Sequence, residues 1–171
     1  ATLYQLRALM DIEQSRFEEA EESLMACDRI MENETLTENR QHSLKLMSTK
    51  NHALTAARQG DFTKADEKAT KLREWAEESM NPEEMKDYHL VAGIVALQKG
   101  EYANAVEELE EADKNSPYAQ FYLAQSYRGA GMDDKARKVF DKVARWNESS
   151  VEYALVRSRA LEESKRDIVV E

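Results

Sequence analysis

"GIVALQKGEYANAVEELEEADKNSP", residues 93–117, decides the fold. Two glycines stand seven residues apart, an acid and an aromatic follow the second, alanines recur at Ala105 and Ala112, and Ser116-Pro117 closes the stretch. Either this is a phosphate-binding loop or it is punctuation between packed helices. The loop reading fails on context: Gly93 lies inside an apolar periodic segment, no Gly-Lys-Ser/Thr follows Gly100, and no strand precedes it. The helical reading accounts for every residue. A glycine able to take the left-handed conformation ends one helix, and Ser-Pro caps and opens another.

The same punctuation runs along the chain. Asn81-Pro82-Glu83-Glu84 marks a helix start, and Thr35 with Glu38 and Ser149 with Glu152 have capping-box spacing. Gln59-Gly60-Asp61, Lys99-Gly100-Glu101 and Ala130-Gly131-Met132 mark stops. Together they predict helices near 2–14, 17–32, 36–58, 62–79, 82–99, 102–114, 117–129, 133–146 and 149–165, and no strand. Apolar residues recur at three- and four-residue steps, as in Leu90, Ile94 and Leu97, so the stripes read first as core seams. With 5 Gly and 2 Pro in 171 residues, there are too few turn formers to join many short strands. The fold class is all-α, within a length that suits one domain.

Aligned on its stops at Ser15, Gly60, Gly100 and Gly131, the chain repeats itself. Seven residues before each stop stands a small residue, Ala8, Ala53, Gly93 or Ala124; five after stands Ala20, Ala65, Ala105 or Ala136. Phe17, Phe62 and Tyr102 follow the first three stops by two, a place where the fourth has Asp133. Small residues on facing helices let two backbones approach, so each unit is a helical hairpin. This pattern resembles the tetratricopeptide repeat. The match is fullest over 86–148 (Gly93, Gly100-Glu101-Tyr102, Ala105, Ala112, Pro117, then Ala124, Tyr127, Gly131, Ala136, Phe140), thinner over 46–80, and thinnest over 1–32, where Ser15 replaces the glycine and Asp11 an apolar residue. The stops are 45, 40 and 31 residues apart, around the family period of about 34, so the first two units carry extra helix length near Ile30–Arg40 and Leu72–Met80. The resemblance implies a right-handed α-solenoid: repeats at about 1–32, 36–80, 82–116 and 117–148, a capping helix at 149–165 and a short tail at 166–171.

The formal charge is −10, and residues 1–38 hold ten acids against three bases. Such a surface repels phosphate backbones and anionic lipid, which argues against nucleic-acid and membrane partners. The apolar run at Leu90–Leu97 is far shorter than the roughly 20 residues of a membrane-spanning helix. Cys27 is the single cysteine and reads as a small buried residue. A first residue of Ala1 suggests a trimmed chain or a fragment, and the compartment stays open. His42, His52 and His89 lack metal-ligand spacing, and no serine or cysteine has a base and orienter nominated beside it. No catalytic residue, metal or cofactor is therefore expected.

In the repeat family the first helix of each pair lines a concave face that binds extended or helical peptides. Carried over position by position, the resemblance implies a lining of Thr2, Gln5, Leu9, Ile12 and Glu13 in the first pair, and one that includes Met47, Lys50, Leu54 and Arg58 in the second. The third contributes Leu90, Ile94 and Leu97, and the fourth Tyr118, Phe121, Gln125 and Arg128. The family's carboxylate clamp is not implied, because its five places hold Lys50, Leu54, Val91, Tyr118 and Tyr122, of which Lys50 alone matches. The expected function is a non-enzymatic scaffold binding a peptide or helix of a partner protein, with apolar anchors and three orienting bases. A self-associating or regulatory segment of a larger protein is the alternative, with a homo-oligomer possible.

Overall fold

Four short turns set the architecture, and all four close in the same way. At Gly60, Gly100 and Gly131 the backbone takes φ of 82°, 79° and 74°, and at Ser15 it takes 58°. In each, the stop residue's N–H meets the carbonyl three back and the next N–H meets the carbonyl five back: Arg16 to Asp11 at 2.8 Å, Asp61 to Ala56 at 2.9 Å, Glu101 to Ala96 at 2.9 Å and Met132 to Tyr127 at 2.8 Å. This pair of bonds satisfies carbonyls at the helix end and reverses the chain. Ser15 is thus the fourth stop, in a conformation that costs a side-chain-bearing residue about 1 kcal/mol or more.

The computed structural model describes residues 1–33, 35–147 and 149–166. Among them stand nine helices and no strand: α1 (Thr2–Glu13), α2 (Phe17–Asn33), α3 (Glu38–Gln59), α4 (Phe62–Ser79), α5 (Pro82–Lys99), α6 (Tyr102–Glu111), α7 (Pro117–Gly129), α8 (Asp133–Ala144) and α9 (Val151–Ser164). The expected tail at 166–171 lies outside the described residues beyond Arg166. Asn81 and Ser116 cap α5 and α7, accepting from the Glu83 and Ala119 amides, each with proline in the first turn. Two caps differ from expectation. Thr37 rather than Thr35 caps α3, and Ser150 rather than Ser149 caps α9, accepting from Arg40 and Tyr153 amides. The later starts leave Glu38 and Glu152 in the first turns, where the helix dipole favours acids. The extra length of the first two units lies in the helices: α3 has 22 residues, α4 and α5 have 18 each, but α6 has 10.

Each hairpin (α1–α2, α3–α4, α5–α6, α7–α8) packs closely, and each second helix also packs on the first helix of the next pair. The first helices α1, α3, α5, α7 and α9 touch their neighbours in turn, whereas the second helices do not touch one another. A layer in contact beside a layer that is spread must curve, with the odd-numbered helices inside. Gly93 allows the tight α5–α6 crossing, because a Cβ there would overlap the buried Leu109 side chain. The curvature is strong enough that α1 also touches α9. The main apolar core runs accordingly from Leu9 and Ile12 in α1 to Val156 and Ala160 in α9. Cys27 is buried, 2.8 Å from the Gln5 amide nitrogen.

Replacing Ser15 by glycine removes the left-handed strain but loosens the unfolded chain, so the net gain is about 0.5–1 kcal/mol. Thermal unfolding of the Ser15→Gly variant is expected about 2 °C above wild type; an unchanged or lower midpoint contradicts the strained-stop reading.

Candidate interaction surface

At the centre of the inner face, one carboxylate joins four helices. Glu13 is the last residue of α1, and its side chain is 3% exposed. Its Oε1 accepts from the Tyr118 hydroxyl at 2.7 Å, the Tyr122 hydroxyl at 2.6 Å and Arg58 Nη2 at 3.0 Å, while Oε2 accepts from Arg159 Nη2 of α9. Arg58 also donates to the Tyr122 hydroxyl, its guanidinium 5.7 Å from that ring's centre, and Arg159 lies 4.7 Å from the centre of the Phe121 ring. Both arginines and both tyrosines thus point into one polar centre walled by aromatic rings.

Burial alone would raise the Glu13 pKa, but Arg58, the two hydroxyls and Arg159 outweigh it and hold the group below the ordinary carboxylate value. Burial and the adjacent anion push Tyr122 up to about 12, and Tyr118 well above the usual phenol range. Arg58 and Arg159 are raised against their own burial by Tyr122 and Glu13. The centre is therefore one anion held by two cations and two neutral hydroxyls at neutral pH.

This closure decides where the expected groove residues lie. Leu54, Leu90, Ile94, Tyr118 and Phe121 are at most 5% exposed, so the apolar lining expected to be open is core. The physical reason is curvature: α1 and α9 close over the inner face. Met47, Leu97 and Gln125 stay half-buried. The three bases expected to meet a partner already hold acids of this chain. Lys50 pairs with Asp87 at 2.8 Å, Arg58 with Glu13, and Arg128 with Glu163 of α9. Burial would lower Lys50, but Asp87 and Glu152 outweigh it and raise it.

What remains open is a cleft on either side of the closed centre. One, of about 300 Å³, gathers Lys50, Asp87, Leu90 and Glu152 near the start of α9. The other, of about 360 Å³, lies at the C-terminal ends of α5, α7 and α9 and gathers Leu97, Tyr102, Gln125, Arg128, Glu163 and Arg166. There Arg128 and Arg166 share the Glu163 carboxylate, Arg166 at 3.3 Å, and burial together with Arg166 lowers the Arg128 pKa. Sequence reasoning placed Glu13 on the inner face but missed its partners, above all Arg159. One signal was present: Glu13 and Arg58 are opposite charges at the same place in adjacent repeats, 45 residues apart like Ser15 and Gly60.

Elsewhere, serine and histidine side chains are paired with acids. Ser48 donates to Asp28 Oδ1 at 2.7 Å and His52 Nε2 lies 3.1 Å from Oδ2, so the aspartate sits between serine and histidine and the histidine cannot act as the serine's base. His42 and His89 likewise meet Glu84 and Glu108 of neighbouring helices. Among the described residues, no three His, Cys, Asp or Glu side chains are grouped to hold a metal ion.

Glu13→Gln leaves two arginines without their anion and is expected to cost about 3 kcal/mol at neutral pH. The lowered folded-state pKa of Glu13 means its stabilisation is complete above the ordinary value of 4.5 and is lost as pH falls through the lower folded value. Urea unfolding of both proteins from pH 7 to pH 3 should show the gap narrowing with acidity; a gap constant with pH contradicts the assignment.

A family model described as tetratricopeptide repeat matches residues 96–160, from the end of α5 into α9. No curated protein and no solved structure matches the chain significantly. The matched span is a tetratricopeptide repeat segment, and the hairpins α1–α2 and α3–α4 that precede it stack in the same way.

Proposed function

We propose that this chain is a non-catalytic module that binds a segment of a partner protein at the cleft between the C-terminal ends of α5, α7 and α9. Tetratricopeptide repeats are in general protein–protein interaction scaffolds. The observation that carries the finer reading is the pairing of Leu97 and Tyr102, the latter 40% exposed, with two arginines that share one carboxylate, Glu163. In a chain of net charge −10 this is a local surplus of positive charge beside apolar surface. The segment that fits carries an apolar side chain next to a carboxylate, which competes with Glu163 for Arg128 and Arg166. Lys50 in the opposite cleft gives an extended segment a second point of contact. The buried Leu54, Arg58, Ile94, Tyr118 and Phe121 then act behind the surface, holding the cleft walls in place.

Peptides selected by display on the wild-type protein should be enriched in Asp or Glu beside Leu, Ile or Phe. Arg128→Glu and Leu97→Glu should each weaken them at least tenfold, read by titration calorimetry. Selected peptides that bind both variants as well as wild type overturn the cleft assignment.

A further inference from the structure

The first helices α3, α5 and α7 each lie between two second helices, and α5 leaves open a space that the other two fill. Aligned on the stops, Ala92 stands where His52 and Leu123 stand, and Ala96 where Ala56 and Tyr127 stand. In α3, His52 Nε2 lies 3.1 Å from Asp28 of α2. In α7, Leu123 is buried and the Tyr127 hydroxyl donates to Glu110 of α6 at 2.6 Å. With alanine at both places, α5 instead floors a channel of about 450 Å³ between α4 and α6, two helices that do not touch. Tyr88, Ala92, Val95, Ala96 and Lys99 run along that floor, and Ala92 is only half-buried. The volume lies within the range of about 300–1,000 Å³ common to ligand pockets. A complete hairpin stands on either side, so the channel owes its opening to two small side chains.

Its charge departs from the other two junctions as well. There, the following second helix supplies a lysine: Lys68 of α4 attracts the Asp28 carboxylate, and Lys135 of α8 lies 5.1 Å from the centre of the Tyr127 ring. The α6 sequence YANAVEELEE holds no lysine or arginine. Around the channel stand four acids, Asp66, Glu101, Glu107 and Glu108, against two bases, Arg73 and Lys99. Both bases are already engaged, Lys99 with Asp66 at 2.7 Å and Arg73 with Glu77 at 3.2 Å. On the α6 side, Glu108 meets His89 at 2.8 Å and Glu101 accepts from the Asn104 amide at 3.3 Å. Among the described residues Glu107 meets no base. The channel lacks both the large side chain and the cation that its counterparts have.

We propose that the channel between α4 and α6 is a second docking surface, and that its occupant is an extended basic segment of a partner protein. The aliphatic stem of one lysine or arginine lies on Ala92 and Ala96, in the space that His52 and Leu123 fill elsewhere, and its charged head meets Glu107. A second base of the segment meets Glu101. The net charge of −10 attracts such a segment from a distance and makes a second copy of the chain a poor occupant. The channel shares no residue with the cleft at the C-terminal ends of α5, α7 and α9, which favours the opposite charge.

The probe is a fluorescein-labelled peptide of alternating lysine and alanine, about nine residues long, and its twin carries glutamate in place of lysine. Fluorescence anisotropy at about 0.15 M salt, where distant charges are screened, should show the lysine peptide binding wild type and the twin not. Ala92→Leu puts the side chain of Leu123 into the channel with no change of charge and should weaken binding at least tenfold. Glu107→Lys should do the same, whereas Glu19→Lys, the same charge change at an exposed position of α2, should weaken it less than threefold. Circular dichroism establishes that each variant is folded, and exposed Glu107 carries the test if Ala92→Leu is not. Arg128→Glu should leave the lysine peptide bound, which separates the channel from the cleft proposed above. The proposal is overturned if the lysine peptide does not bind, if a folded Ala92→Leu or Glu107→Lys variant binds it as well as wild type, or if Glu19→Lys weakens it as much as Glu107→Lys. It is equally overturned if wild type sediments as a dimer that Glu107→Lys disperses, since the occupant would then be a second copy.

Discussion

The structure depends on the need of one buried anion for its partners. Glu13 cannot be left without donors at 3% exposure, and its donors come from α3, α7 and α9, as far as 146 residues along the chain. Satisfying that carboxylate requires the first hairpin and the last helix to meet. The array must therefore curve until its inner layer closes on itself. A single ion pair of this kind often adds little net stability compared with apolar packing, but its geometry is demanding. Here it specifies how far the layer curves, because a flatter array would strand Arg58 and Arg159 as well.

Closure changes what the inner face can do. In an open array, Leu54, Leu90, Ile94 and Phe121 would be a hydrophobic wall; in this chain they are core, and α9 meets α1 across the inner face. The edges of that closure keep polar groups in looser arrangements, since Glu163 is shared by two arginines and Lys50 rests on an aspartate that is half exposed. Asp87 and Glu163 keep part of their surface in water, whereas the Glu13 centre is desolvated and ringed by aromatics.

Local signals made most of the fold legible. Gly60, Gly100 and Gly131 announce their turns because few other residues adopt positive φ, and Pro82 and Pro117 fix first turns where a missing N–H costs nothing. Even Ser15 was found by register rather than by type. The caps at Thr37 and Ser150 were missed by one or two residues, since either of two neighbouring hydroxyls can reach the first turn. The inner face was legible as a set of residues but not as an open or closed surface. Whether Ile94 faces solvent depends on the small rotation between successive hairpins, summed over the array, and no local pattern encodes that sum. Arg159 carried no signal because α9 has no repeat partner to align it with.

The meeting of α1 and α9 is the central claim, and a double-mutant cycle between Glu13 and Arg159 tests it most directly. Urea unfolding of wild type, Glu13→Gln, Arg159→Gln and the double variant gives the coupling between residues 146 positions apart. The closed structure predicts a coupling of at least about 1 kcal/mol, the double variant losing less than the two single changes together. Additivity within about 0.3 kcal/mol would show that the two side chains do not meet, and that the inner face is open.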